Sequence, residues 1–160
     1  MNPLAWLIGL ALPACGFPAA EGLPPPLPMD VAHLVRPASP NTALAAPSGF
    51  TPAPDILTPL YRLPADRLFA LVQDVARAQP RTYQAALYPE QRQVHYVART
   101  AVFNFPDLIT VQVQPESSDT SDLILYSRSV YGHSDLGVNR QRVGTWLAAL
   151  QTKLPSPSER

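Results

Sequence analysis

The distribution of proline is the feature that most restricts how this chain can fold. Fourteen of its 20 prolines lie at or before Pro64, although the chain has 160 residues. Each proline removes a backbone N–H donor and fixes φ, so dense proline excludes continuous helices and central strands. The sequence therefore predicts a Pro-rich linker over residues 16–59, acting as a semi-rigid spacer, and a globular domain over residues 60–155.

The first residues have the pattern of an export signal. Residues 4–14, LAWLIGLALPA, are apolar, and the first charged side chain is Glu21. This run is shorter than the ~20 residues of a membrane span and fits the apolar part of a secretion signal. It ends in Leu12-Pro13-Ala14-Cys15, which resembles a bacterial lipobox, in which the cysteine carries the lipid. We therefore predict a signal/lipobox-like segment over residues 1–15 and lipidation of Cys15. Pro13 and the lack of a preceding Lys or Arg leave a plain secretory signal, a short anchor or a wrongly chosen start codon as alternatives.

Composition adds limits on location and partners. A lipid on Cys15 would place the protein in the cell envelope, on the periplasmic face of a membrane, with that membrane as its first partner. The chain has 12 basic and 12 acidic residues. Nucleic-acid binders usually carry a basic excess, so the balance argues against a nucleic-acid partner.

Hydrophobic periodicity predicts a small α+β domain. A helix begins after Pro64 and carries an apolar stripe, and a closing helix covers about residues 138–154. Between them, four strand-like segments alternate polar and apolar residues, at 81–88, 93–105, 108–114 and 123–131. Short connections favour antiparallel pairing. We expect a two-layer domain with an antiparallel sheet of about four strands, an N-terminal and a C-terminal helix on one face, water on the other face, and a disordered tail over 156–160.

Three groups of motifs carry a family resemblance. The first comprises Arg36-Pro37 and Ser39-Pro40-Asn41-Thr42, and the second comprises Tyr96-Val97-Ala98-Arg99 with Phe105-Pro106-Asp107. The third comprises Ser127-Arg128-Ser129, Gly132, Ser134-Asp135, Gly137, Asn139-Arg140 and Arg142. Over residues 36–150 the chain resembles the bacterial domain of unknown function 1499 family. Many members have a cysteine where this chain has Thr42. The resemblance implies a bias towards the cell envelope and implies no reaction.

Residues 126–142 concentrate hydrogen-bonding groups at the junction between the last strand and the last helix. Arginines on an apolar strand face or near a helix N-terminus need compensating partners. One interpretation is an internal structural network that includes Arg99 and Asp107, with Asp107 pairing Arg128 and Asp135 pairing Arg140 or Arg142. The other is an anion site at the helix N-terminus. Its candidate ligand-binding residues are Arg128, Ser129, Ser134, Asp135, Asn139, Arg140 and Arg142.

The sequence favours a non-catalytic binding or accessory module over an enzyme. Adjacent His133, Ser134 and Asp135 cannot generally converge on one substrate atom, so no catalytic residue is assigned. The three histidines lack metal-ligand spacing, and no cofactor is predicted. Expected partners are an envelope protein or an anionic small ligand. The alternatives are a hydrolase built around Ser134, Asp135 and Arg128 that acts on an envelope component, and a scaffold for another envelope protein.

Overall fold

A computed structural model describes residues 23–155 of the protein. The signal/lipobox-like segment, the predicted lipidation at Cys15 and the predicted tail over residues 156–160 lie outside the described residues. Six strands and two helices follow one another along the described part. The strands are β1 (Thr42–Ala46), β2 (Ile56–Leu57), β3 (Thr82–Tyr88), β4 (Gln93–Arg99), β5 (Pro106–Pro115) and β6 (Ser121–Ser129), and the helices are α1 (Ala65–Arg77) and α2 (Val138–Lys153).

The strands form one mixed sheet in the order β2-β1-β6-β5-β4-β3. β1 and β2 are parallel, and every other neighbouring pair is antiparallel. The predicted α+β class is confirmed, and β3 to β6 correspond to the four predicted strands. The prediction of a wholly antiparallel sheet of about four strands is wrong, because β1 and β2 extend the sheet beyond β6.

β1 lies within the range predicted as linker. It occupies a proline-free stretch between Pro40 and Pro47, so every N–H group of this short strand can join the sheet. β1 pairs with β6 on one side and β2 on the other, and Ala43 to Ala46 are buried. The sheet therefore begins at Thr42 and not at the predicted boundary near residue 60.

Both helices pack on one face of the sheet, as predicted. α1 follows Pro64, has Asp66 in its first turn, and buries an apolar stripe that includes Leu68 and Val72. α2 buries Val143, Trp146 and Leu150 against the same core. Trp146 makes an edge-on contact with Tyr96 of β4, at 5.6 Å between ring centroids. None of the helices in residues 23–155 is long and apolar enough to cross a membrane.

The opposite face of the sheet, predicted to face water, is partly covered by the segment of residues 29–36 and by Phe50. A second core forms there from Val31, Leu44, Ala46, Ile124 and Tyr126. Gln93 fixes the covering segment, because its Oε1 accepts from Met29 N at 2.6 Å and its Nε2 donates to Met29 O at 2.8 Å. The two-layer prediction is therefore incomplete: large apolar side chains on this face require a cover, and the Pro-rich segment supplies it.

Candidate functional site

Asn139, in the first turn of α2, is the centre of a buried polar network that joins β1, β6 and α2. Its Oδ1 accepts hydrogen bonds from Ser127 Oγ at 2.5 Å and from Arg142 Nη1 at 2.7 Å. Its Nδ2 donates to Asn41 O at 2.9 Å and contacts Ser129 Oγ at 3.0 Å. Asn139 is fully buried, so these bonds replace the water that its amide would otherwise bind. We call this cluster, with Asp107 and Asp135, the corner network.

Arg142 and Asp107 form a nearly buried ion pair within the corner network, with 2.7 Å between Nη2 and Oδ2. The expected pairing of Asp107 with Arg128 is wrong. Leu108 lies directly opposite Arg128, whereas Asp107 lies opposite Ser129. Because successive side chains on a strand point to opposite faces, Asp107 and Arg128 lie on different faces of the sheet.

Asp135 caps α2 and has no ion pair with Arg140 or Arg142 among the described residues. Its Oδ2 accepts from Asn139 N at 2.7 Å, and its Oδ1 accepts from Gly137 N at 3.0 Å. A carboxylate at this position offsets the positive end of the helix dipole and satisfies free N–H groups. The predicted pairing of Asp135 with Arg140 or Arg142 is therefore wrong.

The structure separates the other candidate residues. Ser134 is exposed, and its Oγ accepts from Leu136 N at 3.3 Å, while Arg140 is exposed on α2. Arg99 is buried and donates to Asn104 O at 3.1 Å in the loop that follows β4. Sequence reasoning did not assign Asn41 to the site. Asn41 lies in the first motif that carries the family resemblance, which is the signal that could have identified it.

Arg128 lies apart from the corner network, on the sheet face covered by the Pro-rich segment. It is half-buried and borders two cavities of about 580 Å³ and 630 Å³. Met29 and Val130 border both cavities, and Leu27 and Leu108 line the first. No carboxylate or hydrogen-bond acceptor within residues 23–155 pairs with its guanidinium group.

His95, beside Arg128, is neutral near pH 7. Burial lowers the pKa of His95 to about 4, and the charge of Arg128 adds to this effect. Its Nδ1 hydrogen-bonds with Thr110 Oγ1 at 3.0 Å, and its Nε2 with Gln93 Oε1 at 2.9 Å. The wall of the first cavity next to Arg128 is therefore polar but uncharged.

Tyr126 and Arg128 both line the second cavity. The Tyr126 hydroxyl is buried and has no partner at hydrogen-bonding geometry within the described residues. Burial raises the pKa of Tyr126, and Arg128, Arg36 and the Thr42 hydroxyl oppose this shift in part. The Tyr126 hydroxyl lacks a full hydrogen bond, and Arg128 lacks an acidic partner. A ligand that binds in this cavity could therefore form hydrogen bonds with both groups.

The loop between β6 and α2 does not assemble a nucleophile and a base. His133 is exposed and has no hydrogen bond to Ser134 or Asp135 among the described residues. The alternative hydrolase site would need Arg128 beside Ser134 and Asp135. Arg128 lies on the sheet face opposite Asp107 and the corner network, which contains Asp135. In the part of the chain that the structure describes, no group of three His, Cys, Asp or Glu side chains is arranged to hold a metal ion.

Comparisons with known proteins extend these observations. A structural genomics target from Nitrosospira multiformis shares the fold, with a TM-score of 0.52 and 11% identity, covering 74% of this chain and 99% of that chain. The di-domain ARO/CYC BexL of the BE-7585A biosynthetic pathway gives a TM-score of 0.44 at 19% identity, covering 59% and 43% of the two chains. No curated protein matches the chain at a significant level. Residues 35–150, which hold both the corner network and Arg128, match the family described as "Protein of unknown function (DUF1499)", and the chain belongs to this family.

Proposed function

We propose that the protein is a non-catalytic binding module of the bacterial cell envelope, and that Arg128 holds a small amphipathic anion. The observation that carries this proposal is the environment of Arg128, a half-buried cation beside cavities with no acidic partner in residues 23–155. A charge removed from water without a partner is costly, so a site of this kind is completed by an anion. Arg142, the arginine of the corner network, already forms an ion pair with Asp107.

The cavity walls suggest the chemistry of the ligand. Leu27, Met29 and Leu108 offer apolar surface, which suits an acyl chain or a ring. The guanidinium group of Arg128 suits a carboxylate or a phosphate, which it can bind through two parallel hydrogen bonds. Each cavity volume, about 580 Å³ and 630 Å³, falls within the range of roughly 300–1,000 Å³ typical of small-molecule sites. A carboxylate or phosphate attached to an apolar body therefore matches both parts of the site.

The envelope location is the second part of the proposal and rests on the lipobox-like sequence. A lipid on Cys15 would hold the domain on the periplasmic face of a membrane, close to acyl ligands and lipid headgroups. The Cys15→Ala variant tests this location by cell fractionation. We expect the wild-type protein to stay in the membrane fraction after a high-salt wash, which weakens contacts between charged side chains and lipid, and the variant to be released into the soluble fraction. Retention of the mature variant in the membrane fraction would contradict the proposal that a lipid on Cys15 anchors the protein.

Binding itself is tested by isothermal titration with decanoate, and with decanol as a neutral probe of the same chain length. We expect saturable binding of decanoate and a loss of about tenfold or more in affinity for Arg128→Gln, since ~1.4 kcal/mol corresponds to tenfold. Arg140→Gln is the matched control, because Arg140 is exposed on α2 and borders neither cavity. Circular dichroism confirms that both variants are folded. Equal binding by Arg128→Gln, or equally tight binding of decanol, would overturn the proposal.

A further inference from the structure

Two loops project from the same end of the sheet. Residues 100–105 connect β4 to β5, and residues 130–137 connect β6 to α2. The strand ends from which they leave are neighbours, because Asp107 lies opposite Ser129 and Val130 N donates to Pro106 O at 3.3 Å. The two loops therefore form one surface at this end of the protein.

This surface is apolar to an unusual degree for loops. We call its five exposed large side chains the apolar tip: Val102, Phe103, Phe105, Tyr131 and Leu136. Leu136 is 95% exposed and Val102 is 82% exposed. Phe103 and Phe105 stack on each other, with 5.7 Å between ring centroids, instead of packing into the core. Clustered exposed apolar side chains of this kind mark a contact surface.

Two exposed cations lie near the apolar tip. Arg81 and Arg140 are exposed near it, and Arg81 is fixed to the end of β4 by a 3.1 Å bond from its Nε to Arg99 O. The two carboxylates of the corner network are occupied, since Asp107 pairs with Arg142 and Asp135 caps α2. The cations near the tip therefore remain available to an anionic surface.

The loop between β5 and β6, at the opposite end of the sheet, is acidic. This loop and the first residues of β6 carry Glu116, Asp119 and Asp122, with no Lys or Arg between them. Burial and then the nearby Glu116 raise the pKa of Asp122. This loop and the cations near the apolar tip therefore give a local asymmetry of charge. Near an anionic surface, this asymmetry would turn the apolar tip towards it.

We infer that the apolar tip inserts into the interfacial region of an anionic lipid bilayer, with Arg81 and Arg140 at the phosphate level. Aromatic and aliphatic side chains on protruding loops suit the boundary between headgroups and acyl chains, and cations beside them suit acidic lipids. This contact is separate from the predicted lipid on Cys15, and it does not depend on ligand binding by Arg128. Gly132, on the same loop as Tyr131, borders the second cavity, so docking would bring that cavity close to the lipid.

The test measures which end of the full-length protein enters the bilayer. In a Cys15→Ala background, Leu136→Cys is labelled with an environment-sensitive fluorophore, and Ser118→Cys carries the same label at the acidic end. Vesicles of phosphatidylcholine with phosphatidylglycerol should shift the emission at position 136 to the blue and leave position 118 unchanged. Pure phosphatidylcholine vesicles, or added salt, should weaken the shift.

Substitutions then connect the shift to the apolar tip. In a chain labelled at position 136, Val102→Ser with Phe103→Ser should reduce vesicle binding by about tenfold or more, since each exposed apolar side chain contributes burial free energy in lipid. Leu57→Ser with Leu60→Ser is the matched control, because both residues are exposed elsewhere on the surface. Arg128→Gln should bind vesicles like the wild type, which separates this inference from ligand binding.

Three outcomes would overturn the inference. No shift at position 136 would mean that the tip does not enter lipid. The tip would then be a contact surface for a protein, and any vesicle binding would come from the apolar residues 4–14. Shifts at both labelled positions would mean non-specific adsorption. Undiminished binding to pure phosphatidylcholine would exclude the role assigned to Arg81 and Arg140.

Discussion

At the residue scale, Asn139 links three separate parts of the chain through one side chain. Its amide contacts Asn41, Ser127 and Arg142, all within hydrogen-bond distance. Removal of this amide leaves buried donors and acceptors without partners, at a cost of about 1–3 kcal/mol for each group that stays unsatisfied. The corner network is therefore a structural element first, and its arginine is not available for an external anion.

Asn139→Ala should lower the free energy of unfolding by ~2–4 kcal/mol, because several buried polar groups each lose one hydrogen-bond partner. Urea denaturation followed by circular dichroism measures this change. Arg140→Ala, one residue further along α2 and exposed, should change the free energy of unfolding by less than ~0.5 kcal/mol. Similar stabilities for the two variants would contradict the central position of Asn139.

His95 should make the protein less stable as the pH falls. In the folded protein the pKa of His95 is about 4, below the value of 6.5 for an unperturbed histidine. The unfolded chain therefore takes up a proton between these two values while the folded protein does not. The free energy of unfolding should fall as the pH drops from about 6.5 to about 4, by at most ~3 kcal/mol, since one pKa unit corresponds to about 1.4 kcal/mol.

The pH effect of His95 is isolated by comparison with variants. Carboxylates also titrate below pH 5, so the relevant quantity is the wild-type pH dependence minus that of His95→Gln. His133→Gln, at an exposed position, should retain the wild-type dependence. A dependence that is unchanged in His95→Gln would show that another group titrates.

At the element scale, local patterns predicted α1, α2 and β3 to β6, because alternation and helical periodicity are visible within single segments. β1 and β2 were not predicted. β1 has five residues between two prolines, and β2 has only two residues. Both strands are too short to show a clear alternation of polar and apolar residues. β1 joins the sheet by pairing with β6, 80 to 86 positions further along the chain, and β2 joins it by pairing with β1. No local pattern records such pairing.

The contacts of the candidate site also depend on strand register, which the local sequence does not determine. The sequence indicated that Arg142, near the start of α2, needs a compensating partner, and it placed Asp107 in an internal network. It assigned Asp107 to Arg128, which the structure places on the opposite sheet face. A shift of one position along a strand reverses the face of a side chain, and register is fixed by long-range pairing and not by composition.

The Arg142–Asp107 pair should hold the first turns of α2 on the sheet. Arg142→Gln leaves Asp107 buried and unpaired, and should lower the free energy of unfolding by ~3 kcal/mol. Adding Asp107→Asn removes the unpaired charge, so the double variant should be more stable than Arg142→Gln alone. Hydrogen exchange should show lost protection at the start of α2 in the single variant and partial recovery in the double variant. Additive effects of the two substitutions would argue against a direct pair.

At the scale of the whole molecule, the sheet separates two hydrophobic cores that different parts of the chain build. The helix-side core contains Leu68, Trp146 and their neighbours, mostly from the part predicted to be globular, together with Ala43 and Ala45 of β1. The opposite core contains Val31 and Leu44, from the Pro-rich part. A spacer would be free of the domain, whereas a segment that buries Val31 belongs to the cooperative unit.

Val31→Ala distinguishes these two possibilities. Val31 is buried on the sheet face opposite α2, and the loss of its methyl groups should lower the free energy of unfolding by ~1–2 kcal/mol. The change should appear in the fluorescence of Trp146, on the other side of the sheet, when Trp6→Phe removes the second tryptophan. Val35→Ala is the control in the same segment, because Val35 is 86% exposed and should have little effect. If Val31→Ala leaves the Trp146 transition unchanged, residues 29–36 unfold independently of the helix-side core, and the cover of the Arg128 cavities can open without loss of the fold.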